Sequence, residues 1–364
     1  MTKKNEYFPQ SIPHPGLDLN EKLEELGMGP KEFAVRADKP EKTITAILNG
    51  ESSITPDMAV QFENVLKIPA HFWINRQRSF DEYLARIKRE KVIAEAIPWS
   101  RNFPIGDMVK KGWLPKVISA IEKTSAVLSF FALSNHTAWE DYYMKGKLKV
   151  GFRISLVHSK NPYSISAWLR KGELQASVIN SIDYSEKAFK AALPQLKEIM
   201  AKHPSDYFTK LQSICLKAGV KVVYTPCLPG SPISGATRWL NDKPLIQLSG
   251  RFKRNDIFWF TFFHEAGHIL LHGKKDIFLE NVKYNEFDKG KENEADDFAV
   301  KCTLTIEQEQ EILQNAHLNH AEVIMYAEKF GTHPGIIIGR LHHLKKLPPS
   351  VGRKFIIPID LENA

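Results

Sequence analysis

The segment His264-Glu265-Ala266-Gly267-His268 places two imidazoles four residues apart. On a helix, at about 100° per residue, both lie on one face and can reach a single cation. Glu265 is offset by one position. It can reach a water held by that cation without taking a coordination site, which is the placement a general base for hydrolysis needs. Gly267 costs about 1 kcal/mol relative to Ala inside a helix, a cost easier to accept where another element comes close. The motif follows the run Phe258-Trp259-Phe260-Thr261-Phe262-Phe263, so its helix belongs in a core. Two histidines and a glutamate in a core need partners, which argues against an accidental match on a solvated helix. Metal binding and hydrolysis are separate expectations, because a metal site can persist where catalysis is lost.

A catalytic zinc takes three protein ligands and keeps one position open. A third histidine ten residues after the first is excluded, since position 274 is Lys. The remaining source is a carboxylate on a later helix, and Glu292-Asn293-Glu294-Ala295-Asp296-Asp297-Phe298-Ala299 offers several. Glu292, Ala295, Asp296 and Ala299 share one helical face, with alanines that allow close helix–helix approach, while Glu294 points nearly opposite. The expected metal ligands are His264, His268 and Glu292, with Asp296 a candidate partner for a ligating imidazole. His272 lies about 80° around the helix from His264, so packing is its expected role. His333 is a candidate for polarising a scissile carbonyl, with a loop histidine beside Pro334 as the alternative. His342 and His343 read as surface residues. The strand at 235–240 could accept a substrate backbone, or could be an ordinary internal strand.

A second chemistry is written near the N-terminus. Five short helices at 14–92 match a helix-turn-helix arrangement: helix two at 30–37, a turn at Asp38-Lys39, and helix three at 40–48 as the reader. Recognition helices place their N-terminal residues at base edges. Glu41, Lys42, Thr43 and Thr45 would be those residues, with Asn49 or Lys39 on phosphate; Lys can reach guanine and Thr methyls can meet thymine methyls. Lys4, Arg76 and Arg78 are further phosphate candidates. Charge alone does not make the case. The net charge is +8, yet residues 1–92 hold 14 Lys+Arg against 14 Asp+Glu, and residues 93–364 carry the excess with 36 against 28. A small helical interaction module is the alternative.

The elements that must position these residues are mostly helical. The chain has 364 residues, 43% hydrophobic and 25% charged, ordinary globular values that exclude a disordered or fibrous protein. No apolar run approaches the ~18–20 residues of a membrane span, and the N-terminus has no apolar core behind its lysines. Cys215, Cys227 and Cys302 are widely spaced and odd in number, which fits reduced thiols and a cytoplasmic location. In the first module, helices are expected at 16–26, 30–37, 40–48, 56–66 with Thr55 as N-cap, and from about 69 to 89. Pro98 and Pro104 mark a boundary. Beyond it, 105–131 and 185–218 read as helical, 168–173 sits in a further helix, and 220–224 is a short strand. Strands at 235–240 and 245–248 form a hairpin across Asn241-Asp242. From 256 to about 344 the pattern is helical again. The fold class is mainly α with a small antiparallel sheet (α+β). The expected domains are 13–92, a helical middle region at 93–210, a metal-site domain at 211–345 and a tail at 346–364.

Several separated motifs also carry resemblances. Ile233-Ser234-Gly235-Ala236-Thr237-Arg238-Trp239, the run into His264-Glu265-Ala266-Gly267-His268-Ile269-Leu270-Leu271-His272, Glu292-x-x-Ala295-Asp296-x-Phe298-Ala299 and His333-Pro334-Gly335-Ile336-Ile337-Ile338-Gly339-Arg340-Leu341 resemble ImmA/IrrE-type zinc metallopeptidases over about 210–345. That resemblance implies a zincin-like domain, a single Zn2+ per chain held by His264, His268 and Glu292, and Glu265 as the catalytic base. The family's Leu-Leu-Met-Pro-like helix end reads Cys302-Thr303-Leu304-Thr305 here, and Thr305-x-x-Gln308 can form a capping box in its place. Pro13-His14-Pro15-Gly16, Ile47-Leu48-Asn49-Gly50, Ser53-Ile54-Thr55-Pro56 and Ile68-Pro69-Ala70-His71-Phe72-Trp73 resemble the Xre-type helix-turn-helix of HigA-like antitoxins. This implies binding to a double-stranded operator as a homodimer. The combined expectation is a DNA-binding regulator whose peptidase domain cleaves a regulatory protein or partner toxin. The alternative is a non-catalytic antitoxin or repressor whose metal-site domain senses a ligand or docks a toxin.

Overall fold

The computed structural model describes residues 11–144, 161–231, 233–272, 278–279, 286–315, 318–359 and 361. The chain divides into two compact units, Met1–Glu95 and Ala96–Ala364. Lys4 lies outside the described residues.

The first unit is a five-helix module: α1 Pro15–Glu25, α2 Pro30–Arg36, α3 Glu41–Leu48, α4 Pro56–Leu66 and α5 Ala70–Glu95. Its boundaries follow local chemistry. Thr55 Oγ1 accepts from Met58 N–H at 3.2 Å and starts α4. Gly27 and Gly50 take left-handed φ values of 59° and 76° and end α1 and α3. Leu19, Phe33, Ile44, Ile47, Phe62 and Trp73 are fully buried at its centre, each large side chain contributing roughly 1.5–3 kcal/mol by leaving water. A Cβ on Gly16 would stand 1.9 Å from the Ile47 carbonyl oxygen, so this glycine lets α1 meet the end of α3. Arg76 reaches back to both oxygens of Asp18, at 2.6 and 2.7 Å. Its charge is therefore committed inside the module, which corrects the expectation that it serves phosphate.

The second unit wraps helices around a four-stranded sheet. Strands β1 Lys221–Tyr224, β2 Gly235–Leu240, β3 Lys243–Leu248 and β4 Phe278–Leu279 run in the order β1-β3-β2-β4. The hairpin of β2 and β3 turns on Asn241 and Asp242, at φ 49° and 62°, two residue types that tolerate the left-handed region. β1 joins β3 in parallel and β4 joins β2 antiparallel, so the sheet is mixed rather than purely antiparallel. The sequence pattern is helical from 256 onward and gave no sign of β4.

Two expected long helices are interrupted. The stretch at 105–131 forms Ile105–Lys110 and Ala120–Phe131, with Gly112 at φ 68° between them. The stretch at 185–218 forms Glu186–Lys202 and Tyr207–Lys217, broken where His203 turns left-handed at φ 39° before Pro204. The helix Pro162–Ser177 lies against the sheet through a buried polar network. Trp168 Nε1 donates to Thr225 O at 2.7 Å, Gln247 Nε2 donates to Trp168 O at 2.7 Å, and Arg238 donates to Leu169 O at 2.7 Å and to Glu173 at 3.0 Å. One hydrophobic core then runs from Phe189 through Trp259 and Ile337 to Ile359 and Leu361. It crosses the boundaries expected at 210 and 345, so those segments are parts of one packed unit rather than a linker and a tail.

Candidate functional site

The helix Asn255–Leu271 carries the His-Glu-x-x-His segment and is buried on nearly every face, from Phe258 through Ile269. A helix apolar all round must sit inside a fold, and this one packs on β2 and β3 on one side and on the helix Glu286–Thr303 on the other. A Cβ on Gly267 would meet Phe298 Cβ at 3.2 Å and Ala295 Cα at 3.3 Å. Ala295 and Ala299 are fully buried in the same seam. The glycine and the two alanines thus set how closely the two helices approach, and that spacing brings Glu292 to the histidines.

His264, His268 and Glu292 converge. The two Nε2 atoms are 3.0 Å apart, and Glu292 Oε2 and Oε1 lie 3.3 Å from His264 Nε2 and 3.5 Å from His268 Nε2. The imidazoles are buried and the carboxylate is nearly so. Among the described residues this is the cluster of His, Cys, Asp and Glu able to hold a metal ion. Glu292 Oε1 is buried and makes no hydrogen bond. Two imidazole edges facing one another beside such an oxygen fit a shared cation, which would satisfy all three donors at once.

The far nitrogens are also held. Asp296 Oδ1 is 2.8 Å from His264 Nδ1. His272 Nδ1 lies 2.9 Å from His268 Nδ1, and Glu294 Oε2 lies 3.1 Å from His272 Nε2. His272 and Glu294 lie outside the cluster that could hold a metal, and what the sequence did not indicate is that they reach His268 in series. His272 follows His268 by four residues, the same spacing that sets His264 beside His268, and stands at the helix C-cap with φ −115° and ψ 160°. Burial works to push the His264 imidazole down, but the hydrogen bonds of Asp296 and Glu292 and the charge of Glu265 outweigh it and hold its pKa well above the ordinary value. Burial and the neighbouring His264 charge push His268 far down.

Glu265 is fully buried and faces β2. Thr237 Oγ1 donates to its Oε2 at 2.6 Å and lies 3.0 Å from its main-chain oxygen. A Cβ on Gly235 would stand 2.6 Å from Glu265 Oε1, so the strand must be glycine there to pass the carboxylate. Thr237 and Gly235 were not singled out individually from the sequence. Their signal was the run of small residues Gly235-Ala236-Thr237 in an otherwise bulky strand. β2 pairs with β3 on one side and with β4 at Ala236 and Thr237 on the other, so beside Glu265 it is an internal strand, and the expectation that it accepts a substrate backbone there is withdrawn.

His333 is placed elsewhere. It caps the helix Pro334–His343, its Nδ1 accepting from Gly335 N–H at 2.9 Å and lying 3.1 Å from Asn255 Nδ2. Asn255 is nine residues before His264 on the same helix, roughly 13 Å along its axis. A ring held at that end does not reach a carbonyl at the metal cluster, which corrects its expected catalytic role. The Thr305–Gln308 capping box forms, with both reciprocal bonds present at 3.0 and 3.3 Å.

In the first unit, α2 and α3 are joined through Asp38 at φ 51°, with Pro40 as N-cap of α3. Ile44 and Ile47 of α3 are buried, while Glu41, Lys42, Thr45 and Asn49 are exposed and Thr43 is half-buried. Thr45 Oγ1 donates back to Glu41 O at 3.0 Å, which leaves its methyl outward. Lys39 Nζ is 2.7 Å from Asp57 Oδ2. The exposed face of α3 is therefore polar, mixed in charge and supported from beneath by two isoleucines.

Comparison with known proteins matches part of each unit to a family. Residues 19–73 match a helix-turn-helix family model, and residues 215–342 match the IrrE N-terminal-like domain of peptidase family M78. The chain is 37% identical over 70 residues to virulence-associated protein A of Dichelobacter nodosus, covering 19% of this chain and 69% of that protein. It is 31% identical over 68 residues to the uncharacterized HTH-type transcriptional regulator YddM of Escherichia coli, covering 19% and 72%. Similar solved structures include an addiction module antidote protein of the HigA family from Coxiella burnetii (34% identity, 24% of this chain and 95% of that one, TM-score 0.23). Another is the Pseudomonas aeruginosa antitoxin HigA with the higBA promoter (27% identity, 22% and 89%, TM-score 0.22). The chain belongs to the Xre-type helix-turn-helix family and joins that domain to an IrrE-like M78 peptidase-family domain.

Proposed function

We propose that this protein is a DNA-binding regulator with a zinc-dependent endopeptidase in the same chain. The observation that carries the peptidase reading is the buried Glu265 carboxylate, fixed by Thr237 at 2.6 Å on the helix whose His264 and His268 meet Glu292. Zinc bound by four ligands at about 2.0–2.1 Å has ligand-to-ligand edges of roughly 3.3 Å, and the three donor separations here are 3.0, 3.3 and 3.5 Å. A bound zinc ion would supply Lewis acidity to a water molecule and to the peptide carbonyl. The chain's own residues do the rest. Glu265 takes the proton from the attacking water at its carboxylate and returns it to the leaving amine. Thr237, by donating to Oε2, holds that carboxylate in one orientation, and Asp296 fixes the His264 ring.

The substrate is a protein, either a repressor or toxin partner or another copy of this chain. The α3 face reads an operator, with the module acting as a homodimer. The test is a search for new N-termini in a bacterial proteome digest exposed to the zinc-loaded full chain. Wild type generates a specific set, whereas Glu265→Gln keeps its zinc and generates none. Equal cleavage by Glu265→Gln, or no cleavage by the zinc-loaded wild type, removes the enzyme and leaves a binding protein.

A further inference from the structure

A cavity of about 770 Å3 opens on the second unit, lined by Lys110, Lys111, Trp113, Lys171, Phe208 and Tyr224 among others, with Gln175 and Gln212 at its sheet side. Its size falls within the ~300–1,000 Å3 of small-molecule sites. The charged residues described in its lining are all lysines. Among the described residues no carboxylate lines it, and Lys111 and Lys171 form no ion pair. Lys110 has only a loose 3.9 Å contact with Asp107. Three lysines beside Trp113, Phe208 and Tyr224 in one lining suit a ligand that combines an anionic group with a flat ring.

The cavity runs beside β1, the outermost strand on that side among the described residues, so an extended peptide is the first alternative. The edge is already occupied. Thr225 N–H donates to Leu248 O at 2.9 Å, which turns the odd-numbered residues toward β3 and the even-numbered ones outward. The outward carbonyls of Val222 and Tyr224 accept from Gln212 Nε2 at 2.9 Å and Gln175 Nε2 at 2.7 Å. Gln175 is pinned further by Thr225 Oγ1 at 2.5 Å. A strand added there would have to displace both amides. Recognition must come from side chains, and the side chains offered are cations and rings.

We propose that this cavity is a nucleotide-binding site, with Lys110, Lys111 and Lys171 on the phosphates and the base against Trp113 and Tyr224. The site stands apart from the metal cluster and does not depend on peptidase activity. It gives the regulator a means of responding to a small phosphorylated metabolite. The test is isothermal titration of the full chain with ATP and GTP, alongside inorganic pyrophosphate and adenosine. Saturable micromolar binding of at least one nucleotide is expected, with pyrophosphate and adenosine each about tenfold weaker or more because each makes half the contacts. Lys111→Glu and Lys171→Glu each weaken it about tenfold or more, while Lys301→Glu, on the helix Glu286–Thr303 and not among the lining residues, and Glu265→Gln leave it unchanged. Trp113→Ala weakens it too, and where that variant melts early, Trp113→Phe restores binding. Absence of saturable binding overturns the proposal. So does an affinity indifferent to both lysine reversals, or binding confined to single-stranded oligonucleotides.

Discussion

Asp296 Oδ1 stands 2.8 Å from Nδ1 of His264, on the side of the ring opposite Glu292. A carboxylate there fixes both the tautomer and the plane of the imidazole, so Nε2 presents its lone pair toward the cluster. Asp296→Asn is expected to lower zinc affinity by about 10–100-fold, and Glu292→Ala to lower it further. Chelator competition followed by elemental analysis reads both. Unaltered zinc retention in Glu292→Ala would remove this carboxylate from the ligand set.

Gly235 and Glu265 are close enough that any side chain at 235 must move the carboxylate. Gly235→Ala is expected to cost about 1–3 kcal/mol by overpacking and to abolish cleavage while zinc stays bound. Thr237→Val, which removes the hydroxyl but keeps the shape, should leave zinc in place and slow cleavage without unfolding the domain. Stability from urea titration and zinc content from the same sample separate these effects. A Gly235→Ala protein with wild-type cleavage would mean that Glu265 is not held by the strand.

For the reader helix, Lys42→Ala should weaken operator binding and reduce the slope of log affinity against log salt by about 1. Lys39→Ala should do less, since its ammonium is already paired with Asp57. Thr45→Ala should relax sequence preference more than it changes salt dependence. Anisotropy titrations on a selected operator at several salt concentrations measure all three. An operator affinity indifferent to Lys42 and Thr45 would assign DNA contact to another face.

The pair His203 and His333 predicts a pH dependence of stability. Burial, with a smaller push from the His333 charge, lowers His203 to about 4, and burial also lowers His333. Trp259 Nε1 donates to His203 Nδ1 at 3.1 Å, which requires that nitrogen unprotonated. The unfolded chain takes up protons at these rings below about pH 6.5 while the folded chain does not. The contribution of His203 is thus complete above 6.5 and is lost as pH falls toward 4, and that of His333 is lost in the same direction. His203→Asn, which tolerates the left-handed φ of 39°, should flatten the slope by a substantial fraction of one proton while lowering stability at pH 7. Denaturant midpoints from pH 4 to 7 measure it, and parallel slopes for the two proteins would exclude His203 as the source.

Much of this was legible because short-range chemistry fixes it. Thr55, Gly27, Gly50 and the Asn241-Asp242 turn announce their element ends, and a four-residue spacing puts His264 and His268 on one face whatever surrounds them. Helical periodicity also sufficed for Glu292 and Asp296, because the partner helix is regular. β4 has two residues, too few to leave a pattern, whereas His272 follows His268 at the same four-residue spacing that joins His264 to His268. His333 failed for the opposite reason: its residue type suggested chemistry, but its position at a cap commits Nδ1 to Gly335 and Asn255. The role of helix Pro162–Ser177 rests on long-range bonds to Arg238 and Gln247, which no local pattern encodes.

The two glutamines lying along β1 have a consequence for the life of the chain before and after folding. An outermost strand with open carbonyls is a template on which like chains stack into cross-β fibrils. Because Gln212 and Gln175 fill the outward positions of Val222 and Tyr224, the sheet ends in side chains rather than in a row of vacant acceptors. Replacing both with leucine would leave the outward carbonyls of Val222 and Tyr224 without these donors and turn the strand into a seed for aggregation.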